Sequence, residues 1–162
     1  MHVIFRESHG LDEADTPQDL GQTPADLVVL SLSDSDLGAF ASGWRRAKAT
    51  AGAGMPSLRL ANLVALKHPM SVDTYINNTL HAARGILIRL IGGVPYWPYG
   101  LQSVAALARE KGIALAILPA DGRQDTQLDE LSTLPISTLR RLGELCATGG
   151  PVAAHAALAQ LA

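Results

Sequence analysis

Residues 68–100 read HPMSVDTYINNTLHAARGILIRLIGGVPYWPYG, and this run decides the fold. Val72, Tyr75, Ile76, Thr79 and Leu80 recur at i, i+3, i+4, i+7 and i+8, which predicts a helix with one apolar stripe, opened by Ser71 as N-cap. Ile86 to Ile91 is apolar except for Arg89, as expected of a strand covered on both faces. Gly92-Gly93 ends it. Arg89, in mid-strand, requires a carboxylate or carbonyl partner, and Asp73 is a candidate across the helix. The polar clusters His68-Pro69 and Tyr96-Trp97-Pro98-Tyr99-Gly100 each follow a strand-like segment. They are expected to share the carboxyl edge of a parallel sheet, where ligands bind in open α/β folds.

Outward from that run the period switches repeatedly between strand and helix. His2-Val3-Ile4-Phe5 predicts a first strand, and Arg6 to Pro24 a polar loop whose acids, Glu7, Asp12, Glu13, Asp15 and Asp19, lack the spacing of a calcium loop. Ala25 to Leu32 predicts a second strand. Ser33-Asp34-Ser35-Asp36 then supplies caps for an amphipathic helix carrying Leu37, Phe40, Ala41 and Trp44 at core spacing. Ser57 to Ala61 is the third strand. After the fourth, Leu101, Val104, Ala105 and Ala108 form a helical stripe closed by Lys111 and Gly112, and Ile113 to Leu118 is the fifth strand. Pro119 to Gly122 turns away at the edge that holds His68 and Gly92-Gly93. Asp121 to Thr133 is polar, Leu139, Leu142, Leu145 and Cys146 build a further helix, and Gly149-Gly150 stops it.

Five strands alternating with helices predict a flavodoxin-like open, mainly parallel five-stranded sheet with helices on both faces, in the order 2-1-3-4-5. Residues 1–150 make that α/β domain. Residues 151–162 read as the start of a following helix, and a helical pattern running to the last residue suggests an N-terminal piece of a longer subunit.

Composition narrows the partners. The chain has 162 residues, net charge -2 and no basic block, so nothing supplies the electrostatic footprint of a nucleic acid or an anionic membrane. Aromatics are 4% of the chain, which makes Trp97 between two tyrosines stand out. A single cysteine, Cys146, cannot form an internal disulfide and suits a reducing compartment. With no signal peptide and no apolar run of about 18 residues, the expectation is a cytoplasmic protein.

No loop has the spacing of a phosphate-cradling motif, no G-x-S-x-G elbow occurs, and the five histidines lack cysteine partners at zinc spacing. His68 alone is placed to ligate a metal or move a proton, although a structural hydrogen bond is the more common role of such a residue. Tyr96, Trp97 and Tyr99 offer a flat apolar wall, to a planar ligand or, more readily, to another domain. Trp97, in a turn held by Pro95 and Pro98, is expected to be partly exposed.

The segments PSLRLANLVALKHPMSVDTYINNTL, GILIRLIGGVPYWPYG, LPADGRQDTQL and LSTLP, together with DLGQTPADLVVLSLSDSDL, resemble the N-terminal region of the large, tetrapyrrole-binding subunit of aerobic cobaltochelatase, a relative of the magnesium chelatase H subunit. The resemblance implies a subunit that binds the corrinoid hydrogenobyrinic acid a,c-diamide and receives cobalt, while two ATPase-type subunits hydrolyse ATP. It implies no cofactor, no metal and no catalytic residue for this stretch, and an isolated piece that is inactive. What it carries over is a surface for ligand or neighbouring domains at His68, Ser71, Asp73, Gly92, Gly93, Tyr96, Trp97 and Tyr99. The residues alone also allow a stand-alone flavodoxin-like ligand-binding or interaction module.

Overall fold

The computed structural model describes the backbone of Val3–Ile4 and residues 16–162. Four strands of five or six residues form a parallel sheet: β2 (Leu27–Ser31), β3 (Leu58–Asn62), β4 (Gly85–Leu90) and β5 (Ala114–Pro119). A two-residue β1 (Val3–Ile4) pairs with β3 at one edge, which gives the order β1-β3-β2-β4-β5. Each strand lies within two residues of its expected place, with His2 and Phe5 outside the described residues. The order differs from the expected 2-1-3-4-5. Two residues make too short a ladder to occupy the centre, so the fully buried β2 takes it, between β3 and β4. Without β1, the four strands follow the flavodoxin-like pattern with β2 in the role of first strand.

Among the described residues six helices cover the two faces: α1 (Asp34–Ala51), α2 (Pro69–Asn78), α3 (Pro98–Lys111), α4 (Thr126–Leu131), α5 (Ile136–Thr148) and α6 (Gly150–Leu161). Alternation along β4 assigns them. Ile86, Ile88 and Leu90 pack with Val72 and Tyr75 of α2, Leu101 and Val104 of α3, and Leu128 of α4. Leu87 faces the other layer, with Leu37 and Trp44 of α1, Leu139 and Leu142 of α5, and Leu158 and Leu161 of α6. α6 is therefore a full member of the second layer. At Gly43 of α1 an added Cβ would stand 2.6 Å from the Pro151 carbonyl oxygen, so only glycine lets α6 approach this closely.

Local chemistry explains the helix ends. Ser33 caps α1 by accepting from the Asp36 N–H and Gly112 closes α3 in the left-handed conformation. α2 begins earlier than expected. His68 is its cap, with Nδ1 accepting from the Met70 N–H at 3.1 Å, and Pro69 fills the first turn.

Two segments expected as plain loops are tied to the sheet. Gln22 is buried, donates to the Leu60 carbonyl and accepts from the Tyr75 hydroxyl at 2.6 Å, while Thr79 donates to its backbone carbonyl. Burial pushes the Tyr75 phenol well above its ordinary pKa. The polar run after β5 contains α4, capped by Asp125. Ser132 and Thr133 then accept from the N–H groups of Ile117 and Leu115. These bonds blunt the free edge of β5.

Candidate functional site at the carboxyl edge of the sheet

The chain leaves β2 toward the α1 face and leaves β4 toward the α2–α3 face. β2 and β4 are neighbours, so the carboxyl edge has its switch point between them, the usual place for a ligand crevice in this architecture. Ser31 and Arg89 are register partners there. Arg89 reaches across to Asp36 of α1, with Nη1 2.9 and 2.8 Å from its two carboxylate oxygens. Ser31 also donates to Asp36 at 3.0 Å. The expected partner Asp73 lies on the opposite face, because side chains alternate along a strand and Arg89 follows Leu87 toward α1. Next to this pair, burial pushes the Cys146 thiol up to about 11, which leaves it protonated and inert.

The ends of β2 and β3 are closed by their own polar groups. Asn62 donates to the Leu32 carbonyl and the Asp34 carboxylate and accepts from the Val64 N–H. The ends of β4 and β5 are open. A cleft of about 320 Å³ lies between the loop after β5 and α5, lined by Arg89, Leu118, Arg123, Leu139, Arg140 and Gly143 among others. A second hollow of about 290 Å³ adjoins it, with Gly92, Gly93, Asp121 and Asp125 in its wall and Pro119, Arg123 and Gln124 common to both. Gly92 and Gly93 have φ of 97° and 66°, a turn that other residues rarely make. A Cβ on Gly93 would sit 2.8 Å from an Asp125 carboxylate oxygen.

The expected surface residues divide into three groups. Trp97 is not exposed: it is 2% accessible, and its indole N–H donates to the Leu66 carbonyl at 2.8 Å. It belongs to the core because Gly100, one turn into α3, leaves room for the ring to fold back over the helix start; a Cβ there would overlap the indole. Ser71 is also buried, in the first turn of α2, where its hydroxyl accepts from the Gln18 N–H. Tyr96 is half-buried under the Lys67 ammonium, 3.8 Å from the ring centre, while Lys67 donates to the Tyr96 carbonyl. Only His68, Asp73 and Tyr99 remain on the surface beside Gly92-Gly93. The Tyr99 hydroxyl donates to Asp73 at 2.6 Å, and this bond raises the phenol's pKa. Exposed Met70, on the helix turn before Asp73, and exposed Ile91, just after β4, add apolar area to the same edge.

Arg123, Arg140 and Gly143 were not singled out in the sequence, and Asp36 was named only within the Ser33–Asp36 run of caps. Asp36 reads there as an ordinary capping residue, and nothing in spacing alone brings α5 to the end of β5. Glu7, Asp12, Glu13 and Asp15 lie outside the described residues. Among the described residues no three His, Cys, Asp or Glu side chains gather as a metal site, and no helix is long and apolar enough to cross a membrane.

No family model matches the chain. It is 39% identical over 150 residues to the aerobic cobaltochelatase subunit CobN of Pseudomonas aeruginosa, covering 93% of this chain and 12% of that protein. The CobN of a Sinorhizobium species is 36% identical over 150 residues, with 93% and 11% covered. The chain thus spans about a ninth of the length of the curated relatives it matches. The catalytic subunit of cobaltochelatase from Mycobacterium tuberculosis superposes on 83% of this chain and 10% of its own with a TM-score of 0.64 at 24% identity, which is a likeness of fold.

Proposed function

We propose that this chain, homologous over nearly all its length to a segment of aerobic cobaltochelatase subunit CobN, is an N-terminal domain of such a large subunit and docks the rest of it through the carboxyl edge of its sheet. The homology over 150 residues carries this reading. The complete protein would insert cobalt into hydrogenobyrinic acid a,c-diamide while two ATPase-type subunits hydrolyse ATP. This piece has no phosphate-cradling loop, and its part is to complete and hold the subunit that encloses the corrinoid. Met70 and Tyr99 are its exposed apolar contacts, and the Tyr99–Asp73 bond fixes the starts of α2 and α3 relative to each other.

The test is a chimera in which this chain replaces the matching segment of a complete CobN, assayed for cobalt insertion with its partner subunits. The expected result is retained activity. In that chimera Met70→Glu with Tyr99→Ala should reduce insertion at least tenfold, while the same changes leave the isolated chain folded. A folded but inactive chimera, or full activity with both edge residues changed, refutes the proposal.

A further inference from the structure

The cleft between the loop after β5 and α5 is lined in part by Arg89, whose guanidinium is only half used. Arg89 gives Nη1 to Asp36, yet its Nε is buried with no hydrogen-bond partner and its Nη2 has none among the described residues. Nε and Nη2 form the edge by which arginine holds a carboxylate with two parallel bonds. A buried N–H without an acceptor is costly enough that native folds seldom retain one. Arg123, on the rim, has no side-chain partner among the described residues, and its backbone N–H alone is bonded, to Asp121. Arg140 is already held by Asp129 at 2.6 and 3.0 Å.

The balance of charge selects the ligand. Three arginines line or border the cleft, but Asp36 offsets Arg89, Asp129 offsets Arg140, and Glu144 stands in the same wall as Arg123. A multiply charged phosphate would meet Glu144 in the wall and find two of the three guanidinium charges already offset by Asp36 and Asp129. A single carboxylate needs only the free edge of Arg89 and the unpaired Arg123. Leu118 and Leu139 supply apolar floor for its carbon chain. Gly143 keeps the space open in mid-helix, where a Cβ would meet nothing within 4 Å. About 320 Å³ suits a short aliphatic acid and is small for a tetrapyrrole.

We propose that this cleft is a binding site for an aliphatic carboxylate, gripped by the Nε–Nη2 edge of Arg89 and by Arg123, with its methylenes on Leu118 and Leu139. The carboxylate comes either from a free small acid or from a peripheral acid arm of a corrinoid, and the second source rests on the function proposed above.

The probe is sodium butyrate, titrated into the 15N-labelled chain while the arginine Nε–H resonances are followed by NMR, with butyramide, phosphate and sodium chloride at matched ionic strength as controls. Butyrate is expected to shift the Arg89 resonance saturably and the controls are not. Arg123→Gln should weaken binding at least fivefold, and Gly143→Leu, which fills the cleft, should abolish it with cooperative thermal unfolding retained. Should Gly143→Leu fail to fold, the Arg123→Gln comparison still decides. A response matched by sodium chloride, an equal or stronger response to phosphate, or binding unchanged in Arg123→Gln overturns the site. Displacement of butyrate by hydrogenobyrinic acid a,c-diamide assigns the acid-arm source. Butyrate binding without displacement assigns the free-acid source and removes the link to cobalt chelation while the site stands.

Discussion

Replacing Trp97 by alanine should be among the most damaging single changes in this domain, and its cost can be worked from the packing. The indole is 2% accessible. Burying roughly 200 Å² of aromatic surface at about 25 cal/mol per Å² gives about 5 kcal/mol as an upper bound, and truncations of buried aromatics cost about 3–5 kcal/mol. The lost indole N–H also strands the Leu66 carbonyl, which adds about 1 kcal/mol. Against a total stability of about 5–15 kcal/mol, a loss near 4–5 kcal/mol lowers the urea midpoint by about 2 M for an m-value of about 2 kcal/mol/M. Gly100 makes the argument sharper. Gly100→Ala alone should cost about 2 kcal/mol or more, because the new methyl group collides with the ring. In the Trp97→Ala background it should be neutral or stabilising by up to about 1 kcal/mol, since the ring is gone and alanine favours the helix. Urea denaturation of the wild type, both single variants and the double variant measures a coupling of about 2 kcal/mol or more. Equal costs for Gly100→Ala in both backgrounds, or a Trp97→Ala cost under about 1.5 kcal/mol, would refute the placement of the ring.

Asp36→Ala leaves the Arg89 guanidinium, whose side chain is 14% accessible, without its counter-charge. A loss of about 2–3 kcal/mol in thermal or urea unfolding is expected, with Asp36→Asn costing less. The Arg140 hydrogen bond and charge depress the pKa of Asp129, so the pair's contribution is complete above the carboxylate's unfolded pKa and is lost as pH falls through the lower folded value. Arg140→Gln should therefore cost about 1 kcal/mol at pH 7, and its stability curve should meet that of wild type once pH has fallen below the depressed folded value of Asp129. A gap of constant size from pH 7 to pH 2 counts against the pair. Cys146, with its thiol at about 11, should resist iodoacetamide at pH 8 in the folded chain and react once urea unfolds it. Rapid alkylation of the native protein would contradict its burial.

The strands and the longer helices were legible in the sequence because their information is local. Largely apolar runs at 27–31, 85–90 and 114–119 fit strands buried on both faces when helices flank them, and Gly112 fits a helix end whatever surrounds it. The carboxyl edge was legible too, since a parallel sheet of alternating strands and helices puts every strand-to-helix loop on one side. Sheet order was not, because it depends on which strand is long and apolar enough to be enclosed. A two-residue β1 cannot take the centre that β2 fills. The fate of Trp97 was likewise invisible: its flanking prolines describe a turn, while the missing Cβ of Gly100 and the carbonyl of Leu66, 31 residues away, draw the ring inward. The same holds for Arg89, whose partner is chosen by the face of β4 on which it falls and by the helix that covers that face. A spacing of 53 residues between Asp36 and Arg89 has no signature in the chain; register and layer packing alone bring the two charges together.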